Sequence, residues 1–180
     1  MEEAYAYSCE ALENWYVLFV MTGQEDNVRQ RLEYSFEPAI ASPFLPKRML
    51  IERKGGVVYE RIRILFPSYL FMHSLNIEDI YMKLKRVPGV IKVIKDDVMP
   101  LAVPPYEMEP LIAMTKTCEI IGISTCSLTS KRIVVVEGPL KGQEGIIVAV
   151  DKRKGRAKVS MRIMGSEHLV DLGLNIIGAF

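Results

Sequence analysis

Few residues in this 180-residue chain have the types and spacing that bond-making chemistry needs. The two histidines, His73 and His168, are far apart, and neither has a metal-ligand partner at close spacing or a Ser or Cys in a nucleophile motif. They read as structural or surface histidines. Cys9, Cys118 and Cys126 form no CxxC pair, so neither a zinc site nor a disulfide framework is indicated. Gly138-x-x-x-Gly142-x-x-Gly145 lacks the Lys-Ser/Thr of a phosphate loop and opens no helical pattern, so it reads as turn chemistry. No catalytic residue, metal or cofactor is expected.

Two non-covalent chemistries remain. The first is polyanion binding by Lys141, Lys152, Arg153, Lys154, Arg156, Lys158 and Arg162. Five of these seven lie between positions 152 and 158, between two β-prone runs, so they concentrate charge on a hairpin. A two-stranded ribbon can enter a major groove and offer Arg or Lys to guanine edges, which in RNA requires a bulge or loop that opens the groove. The competing reading is a solvated charged loop. The second chemistry is an aromatic strip, Tyr16, Phe19, Phe66, Tyr69 and Phe71, on predicted strands. Aromatics on strands usually belong to the core. A sheet covered by helices on one face would instead leave them as an apolar patch for a partner helix or for stacked bases.

The charge distribution separates these two features. Net charge is +1, from 23 Lys/Arg and 22 Asp/Glu. Nine basic and five acidic residues lie from Leu128 onward, leaving fourteen against seventeen before it. A basic second part suits a polyanion, whereas the acidic first part opposes phosphate contact and favours a protein partner. The opening MEEAYAYSCEALEN is acidic, with neither a basic nor an apolar leader segment, and no apolar run approaches the roughly 20 residues of a membrane span. A cytoplasmic protein with reduced thiols and no membrane contact is expected.

The positioning elements follow from periodicity. Residues 1–13 show no useful pattern and read as a flexible tail. Residues 15–21, WYVLFVM, make a buried strand, and Thr22-Gly23-Gln24-Glu25 has the spacing of a capping box for a helix carrying Val28, Leu32 and Phe36 on one stripe. Two β-prone arms around Gly55-Gly56 predict a hairpin over 44–65 with a charged tip. A strand over 69–72 follows, then a helix carrying Ile77, Ile80, Tyr81 and Leu84, a strand over 90–94, and a helix opened by Pro104-Pro105 with Met108, Leu111 and Ile112 inward. Residues 116–130, rich in Thr and Ser, read as a linker, although 119–123 suits a short edge strand. Runs at 133–136, 146–150 and 157–161 then predict three strands with Gly and Pro in the turns. In the last, Arg156, Lys158 and Arg162 alternate with Ala157, Val159 and Met161, giving a basic face and a core face. The predicted fold class is α+β: a split βαβ sandwich over 14–115, followed by a small β-barrel over 131–180.

Trp15-Tyr16, Phe66-Pro67-Ser68-Tyr69-Leu70-Phe71 and Val87-Pro88-Gly89-Val90, followed by residues 132–158 with Gly138-Pro139, Gly142 and Gly145 at turns, resemble the anchor segments and KOW motif of the NusG family of transcription elongation factors. The resemblance implies an NGN-type domain that binds the clamp helices of bacterial RNA polymerase, with Tyr16, Phe19, Tyr69 and Phe71 at pocket positions, and an SH3-like KOW barrel. Gln143 stands where housekeeping members usually carry Phe, which weakens the expectation of ribosomal protein S10 or Rho as a partner. Met21-Thr22 and Ile80-Tyr81-Met82-Lys83 depart from the DNA-reading turn and gate-loop contact of RfaH-type members. KGQEG followed by DKRKGRAKV resembles the LoaP branch, which implies a processive antiterminator recruited by a leader RNA hairpin; a monomer is expected. The alternatives are a general NusG factor coupling polymerase to S10 or Rho, and a ribosome-associated RNA-binding protein.

Overall fold

The computed structural model describes residues 12–115, 118–128 and 133–179. Most of the predicted tail, Cys9 and parts of the predicted linker lie outside them. In chain order the elements are β1 (Trp15–Val20), α1 (Glu25–Ser35), β2 (Ser42–Phe44), β3 (Lys47–Lys54), β4 (Val57–Ile64), β5 (Tyr69–His73), α2 (Ile77–Leu84) and β6 (Val90–Val93). Then come α3 (Pro105–Met114), β7 (Ile120–Ile121), β8 (Ser124–Leu128), β9 (Ile133–Glu137), a 3-10 turn (Glu144–Ile146), β10 (Ile147–Asp151), β11 (Arg156–Ile163) and β12 (Ser166–Ala179). The described residues form two compact units, one from 12–46 with 66–108, the other from 47–65 with 109–179.

The first unit is built on a sheet of order β2-β5-β1-β6. The continuous apolar run of β1 makes it a central strand. Tyr16, Leu18 and Val20 face one way and pack with Leu70 and Met72 of β5 against Val28 and Leu32 of α1 and Ile77, Ile80 and Leu84 of α2. Burying each such aliphatic side chain contributes about 1.5–3 kcal/mol. Trp15, Val17 and Phe19 alternate to the other face, opposite His73, Phe71 and Tyr69 in the antiparallel β1–β5 register.

The start of α1 differs from its predicted capping box. The N-cap is Gln24, without a side-chain cap bond. Thr22 Oγ1 instead lies 2.6 Å from Ser68 Oγ, and Glu25 Oε1 accepts from the Ser68 backbone N–H at 2.9 Å. Both capping-box side chains are thus diverted to the turn before β5. The first turn of α1 keeps its favourable negative charge through Glu25 and Asp26. The helix carrying Ile77, Ile80 and Leu84 buries those residues as predicted, and Met108, Leu111 and Ile112 of α3 are buried as well.

In the second unit, β3 and β4 pair through eight residues each around Gly55 and Gly56, whose φ values of 59° and 81° suit a tight hairpin turn. β7 adds in parallel to β3, giving the order β4-β3-β7. Where a small barrel is predicted, the structure has a five-stranded sheet of order β10-β11-β12-β8-β9. The stretch expected as a linker supplies β8 of this sheet and β7 of the three-stranded one. β12 is the longest strand; it pairs antiparallel with β11 and, from Leu174 on, parallel with β8.

β3 crosses β12 at a point that only glycine permits. A Cβ on Gly173 would lie 2.5 Å from the Met49 carbonyl oxygen, a distance real Cβ atoms do not adopt. Nearby, Arg48 Nη1 donates to the Asp171 carbonyl at 2.7 Å.

Candidate nucleic-acid interface

The basic hairpin is organised by one carboxylate. Asp151, at the end of β10, accepts from the Lys154 backbone N–H at 2.9 Å. That hydrogen bond, helped by the charges of Lys154 and Arg153, holds the Asp151 carboxyl below its ordinary pKa against the opposing effect of desolvation. Gly155 takes φ 62° to complete the reversal, and its carbonyl accepts from Leu174 N at 2.9 Å. Lys152, Arg153 and Lys154 are exposed on this turn.

β11 behaves as its alternation predicts. Ala157, Val159, Met161 and Ile163 are buried, whereas Lys158 and Arg162 are exposed and Arg156 is half-buried. Lys158 stands opposite Asp171 in the β11–β12 register, and Arg156 Nη1 lies 3.6 Å from Asp171 Oδ2. Lys154, Arg156 and Lys158 line a cavity of about 200 Å³ with Asp151, Asp171, Ala149 and Val150. Three cations against two carboxylates leave this concavity positive, and the turn residues extend the charge outward. The arrangement suits phosphate oxygens and hydrogen-bond acceptors on base edges.

Of the seven predicted basic residues, the structure gathers Lys154, Arg156 and Lys158 around the cavity, with Lys152 and Arg153 on the adjoining turn. Arg162 stands opposite Glu167, four residues and roughly 13 Å along the strand from Lys158. Lys141 is exposed in a separate turn, where its N–H donates to Gly138 O at 3.0 Å.

Two basic residues that sequence reasoning passed over lie beside this site. Arg48 and Arg63 are directly opposed across β3 and β4. Burial pushes the Arg48 guanidinium below its ordinary pKa, Asp171 opposes that shift, and Arg156 and Arg63 add to it. Their basic character was visible in sequence, but their place beside β12 depends on a pairing more than a hundred residues away.

The aromatic strip is divided by the sheet. Tyr16, Phe66 and Phe71 are buried, so these three do not form the outward patch that one reading of the strip allowed. Tyr16 belongs to the helix-side core, where burial and then Glu78 raise its phenol pKa. Phe71 packs with Phe44 and Phe66 at ring-centroid separations of 6.2 and 6.0 Å. Phe19 and Tyr69 are half-buried cross-strand neighbours in edge-to-face contact at 5.8 Å, with Lys92 Nζ 5.7 Å from the centre of the Phe19 ring. This pair remains accessible to a partner.

The other chemistry-bearing residues do not converge. His73 packs on Trp15 at 5.1 Å, and burial lowers its pKa. Cys118 is exposed and Cys126 buried, with burial raising the Cys126 thiol. No cluster of three or more metal-ligating side chains, and no helix long and apolar enough to cross a membrane, occurs among the described residues. Gly138 and Gly142 adopt φ 103° and 81°, in keeping with a role in turns.

The chain is 22% identical over 170 residues to the transcription termination/antitermination protein NusG of Rickettsia prowazekii, covering 91% of this chain and 88% of that protein. It is 23% identical over 172 residues to NusG of Thermus thermophilus, covering 88% and 94%. A structure of Thermotoga maritima NusG, described as showing domain interaction, superposes with a TM-score of 0.51 at 22% identity over 89% of this chain and 93% of that one, which supports a shared fold. The family model described as "Transcription termination factor nusG" matches residues 13–112, more than half of the chain, and the chain therefore belongs to the NusG family of transcription termination and antitermination factors.

Proposed function

We propose that this NusG-family protein is a processive antiterminator that binds RNA polymerase through the region 14–115 and a nascent leader RNA hairpin through the β10–β11 hairpin. The observation that carries the RNA reading is the positive cavity lined by Lys154, Arg156 and Lys158 beneath an exposed Lys152-Arg153 turn. A charged loop that only keeps a protein soluble needs no concavity. Here one carboxylate fixes the turn while Lys152, Arg153 and Lys158 stay presented to solvent.

For the polymerase contact, Phe19 and Tyr69 are the accessible members of the aromatic strip. Their edge-to-face pair offers an apolar platform for a partner helix, with the buried Phe71 on the same face of the sheet and packed on Phe66, whereas Tyr16 faces the helices. Gln143, half-buried beside the 3-10 turn, offers an amide rather than an aromatic anchor, which disfavours S10 or Rho as the partner of the barrel.

The test is titration of the full chain with fluorescently labelled leader RNA hairpins at several salt concentrations. Binding that weakens steeply with salt, and weakens further in Arg153→Ala and Lys154→Ala, supports the reading. Failure to bind any leader hairpin at low salt, together with saturable binding of S10 or Rho, would return the protein to the general coupling role.

A further inference from the structure

We infer that the RNA site does not end at the barrel: Arg48 and Arg63 of the β3–β4 hairpin form a second wall of it, so that an RNA backbone lies in the corner where β3 crosses β12. This rests on the RNA reading of the β10–β11 hairpin and extends it to residues outside the barrel strands.

The geometry begins at Gly173. Because it has no side chain, the Met49 carbonyl comes against the outward face of β12, within 2.5 Å of where a Cβ would stand. In the β11–β12 register that outward face carries Arg156 opposite Gly173 and Lys158 opposite Asp171. The hairpin therefore rises from the same face that presents the barrel's cations. Arg48 sits at the junction and donates to the Asp171 carbonyl at 2.7 Å, while the Asp171 carboxylate faces Arg156 at 3.6 Å. One aspartate thus joins the two basic elements, its main chain held by one arginine and its side chain by another.

The charge balance at this corner points to a polyanion. Arg48 and Arg63 are directly opposed across β3 and β4, a like-charge arrangement that destabilises a bare antiparallel pair. Arg63 has a carboxylate neighbour in Glu52, at a loose 3.4 Å, which it shares with Arg61 at 3.5 Å. Arg48 and Arg156 both contact Asp171, Lys158 stands opposite Asp171 and Arg63 stands opposite Arg48, so these cations share one corner, and their mutual repulsion is relieved when phosphate groups enter. Arg side chains offer planar pairs of N–H donors that match phosphate oxygens. A corner with cations on floor and wall fits a ridge of sugar-phosphate backbone better than a flat surface does.

The experiment uses the full chain and a labelled leader RNA hairpin, with Arg63→Ala, Arg63→Lys and Lys158→Ala compared with the parent. Arg63 is the chosen position because its side chain is about half exposed and its bond to Glu52 stays within the hairpin. The expected result is a three- to tenfold weaker Kd for Arg63→Ala, a salt slope shallower by about one, and substantial recovery in Arg63→Lys. Unchanged melting temperatures keep this apart from unfolding. If Arg63→Ala binds like the parent while Lys158→Ala is weakened, the second wall is overturned and the barrel site stands. If neither change alters binding, the RNA reading of the barrel falls, and the wall with it. Equal competition by duplex DNA of the same sequence would overturn the assignment to RNA.

Discussion

The backbone N–H of Ser68 donates to Glu25 Oε1 at 2.9 Å, across 43 residues of sequence, and Glu25 is only 2% exposed. Through this bond the first turn of α1 fixes the segment that leads into β5. Ser68 holds φ 68°, a left-handed conformation that costs a non-glycine residue on the order of 1 kcal/mol or more. The carboxylate and the Thr22 hydroxyl offset that cost. Glu25→Ala should therefore destabilise the protein by about 1–3 kcal/mol, because it strands a buried donor. Ser68→Gly exchanges one hydrogen bond for relief of strain and should be near neutral, whereas Ser68→Ala keeps the strain, loses the hydroxyl and should cost about 1 kcal/mol. Urea unfolding of the three variants checks the order, and a neutral Glu25→Ala would refute it.

Gly173 gives a second expectation. Adding a Cβ drives it into the Met49 carbonyl, and backbone cannot yield as a flexible side chain does. Gly173→Ala should lose about 1–3 kcal/mol as an overpacking change. The loss should be local: amide exchange in β3 should quicken more than in β1 or β5. Uniform acceleration across both units would count against a specific crossing at this point.

His73 supplies a pH dependence. Burial lowers its pKa in the folded chain below the unfolded value, so the unfolded state binds the proton more readily. Its contribution to stability is complete above the unfolded pKa, about 6.5, and is lost as pH falls through the folded value. Melting temperature should decline as pH falls from about 7 towards 5, and His73→Gln should flatten that part of the curve. Asp96 and Asp151, whose carboxyls are held low by backbone N–H groups, lose their contributions only in the more acidic range. An identical slope in His73→Gln would assign the decline to other groups.

The half-buried aromatic pair makes the last prediction. Phe19→Ala and Tyr69→Ala should each weaken binding to purified RNA polymerase about tenfold or more, as truncated interface anchors do. Leader RNA affinity should stay unchanged in both. Parallel losses of both activities would instead indicate that the fold had been damaged.

Much of the framework was legible because it is local. The Gly55-Gly56 reversal, the apolar stripes of α1 and α2, and the alternation along β11 follow from periodicity and turn chemistry alone. The capping box of α1 misled because Thr22 and Glu25 found a nonlocal partner in Ser68 that competes with the local one. β8 was hidden in a Ser/Thr-rich stretch, since its strand character comes from pairing with β9 and β12. For the site, composition exposed the cations between 152 and 158. It could not show that Arg162 and Lys141 stand apart from the cavity, nor that Arg48 stands beside Asp171. Aromatic residues on strands were equally ambiguous, since a two-residue period says which share a face but not which face is covered.

The parallel pairing of β12 with β8 bears on how the molecule can be cut. A fragment beginning at residue 131 would carry β9 to β12 but not β8, the strand that lies between β9 and β12. The second half of β12, from Leu174, would then present unpaired backbone N–H and C=O groups along an apolar strand, and β9 would lose its neighbour. Such an edge recruits strands from other chains, so self-association of that fragment would reflect the missing strand rather than a property of the whole protein. Beginning the fragment a few residues before Ser124 restores the neighbour and should keep it monodisperse.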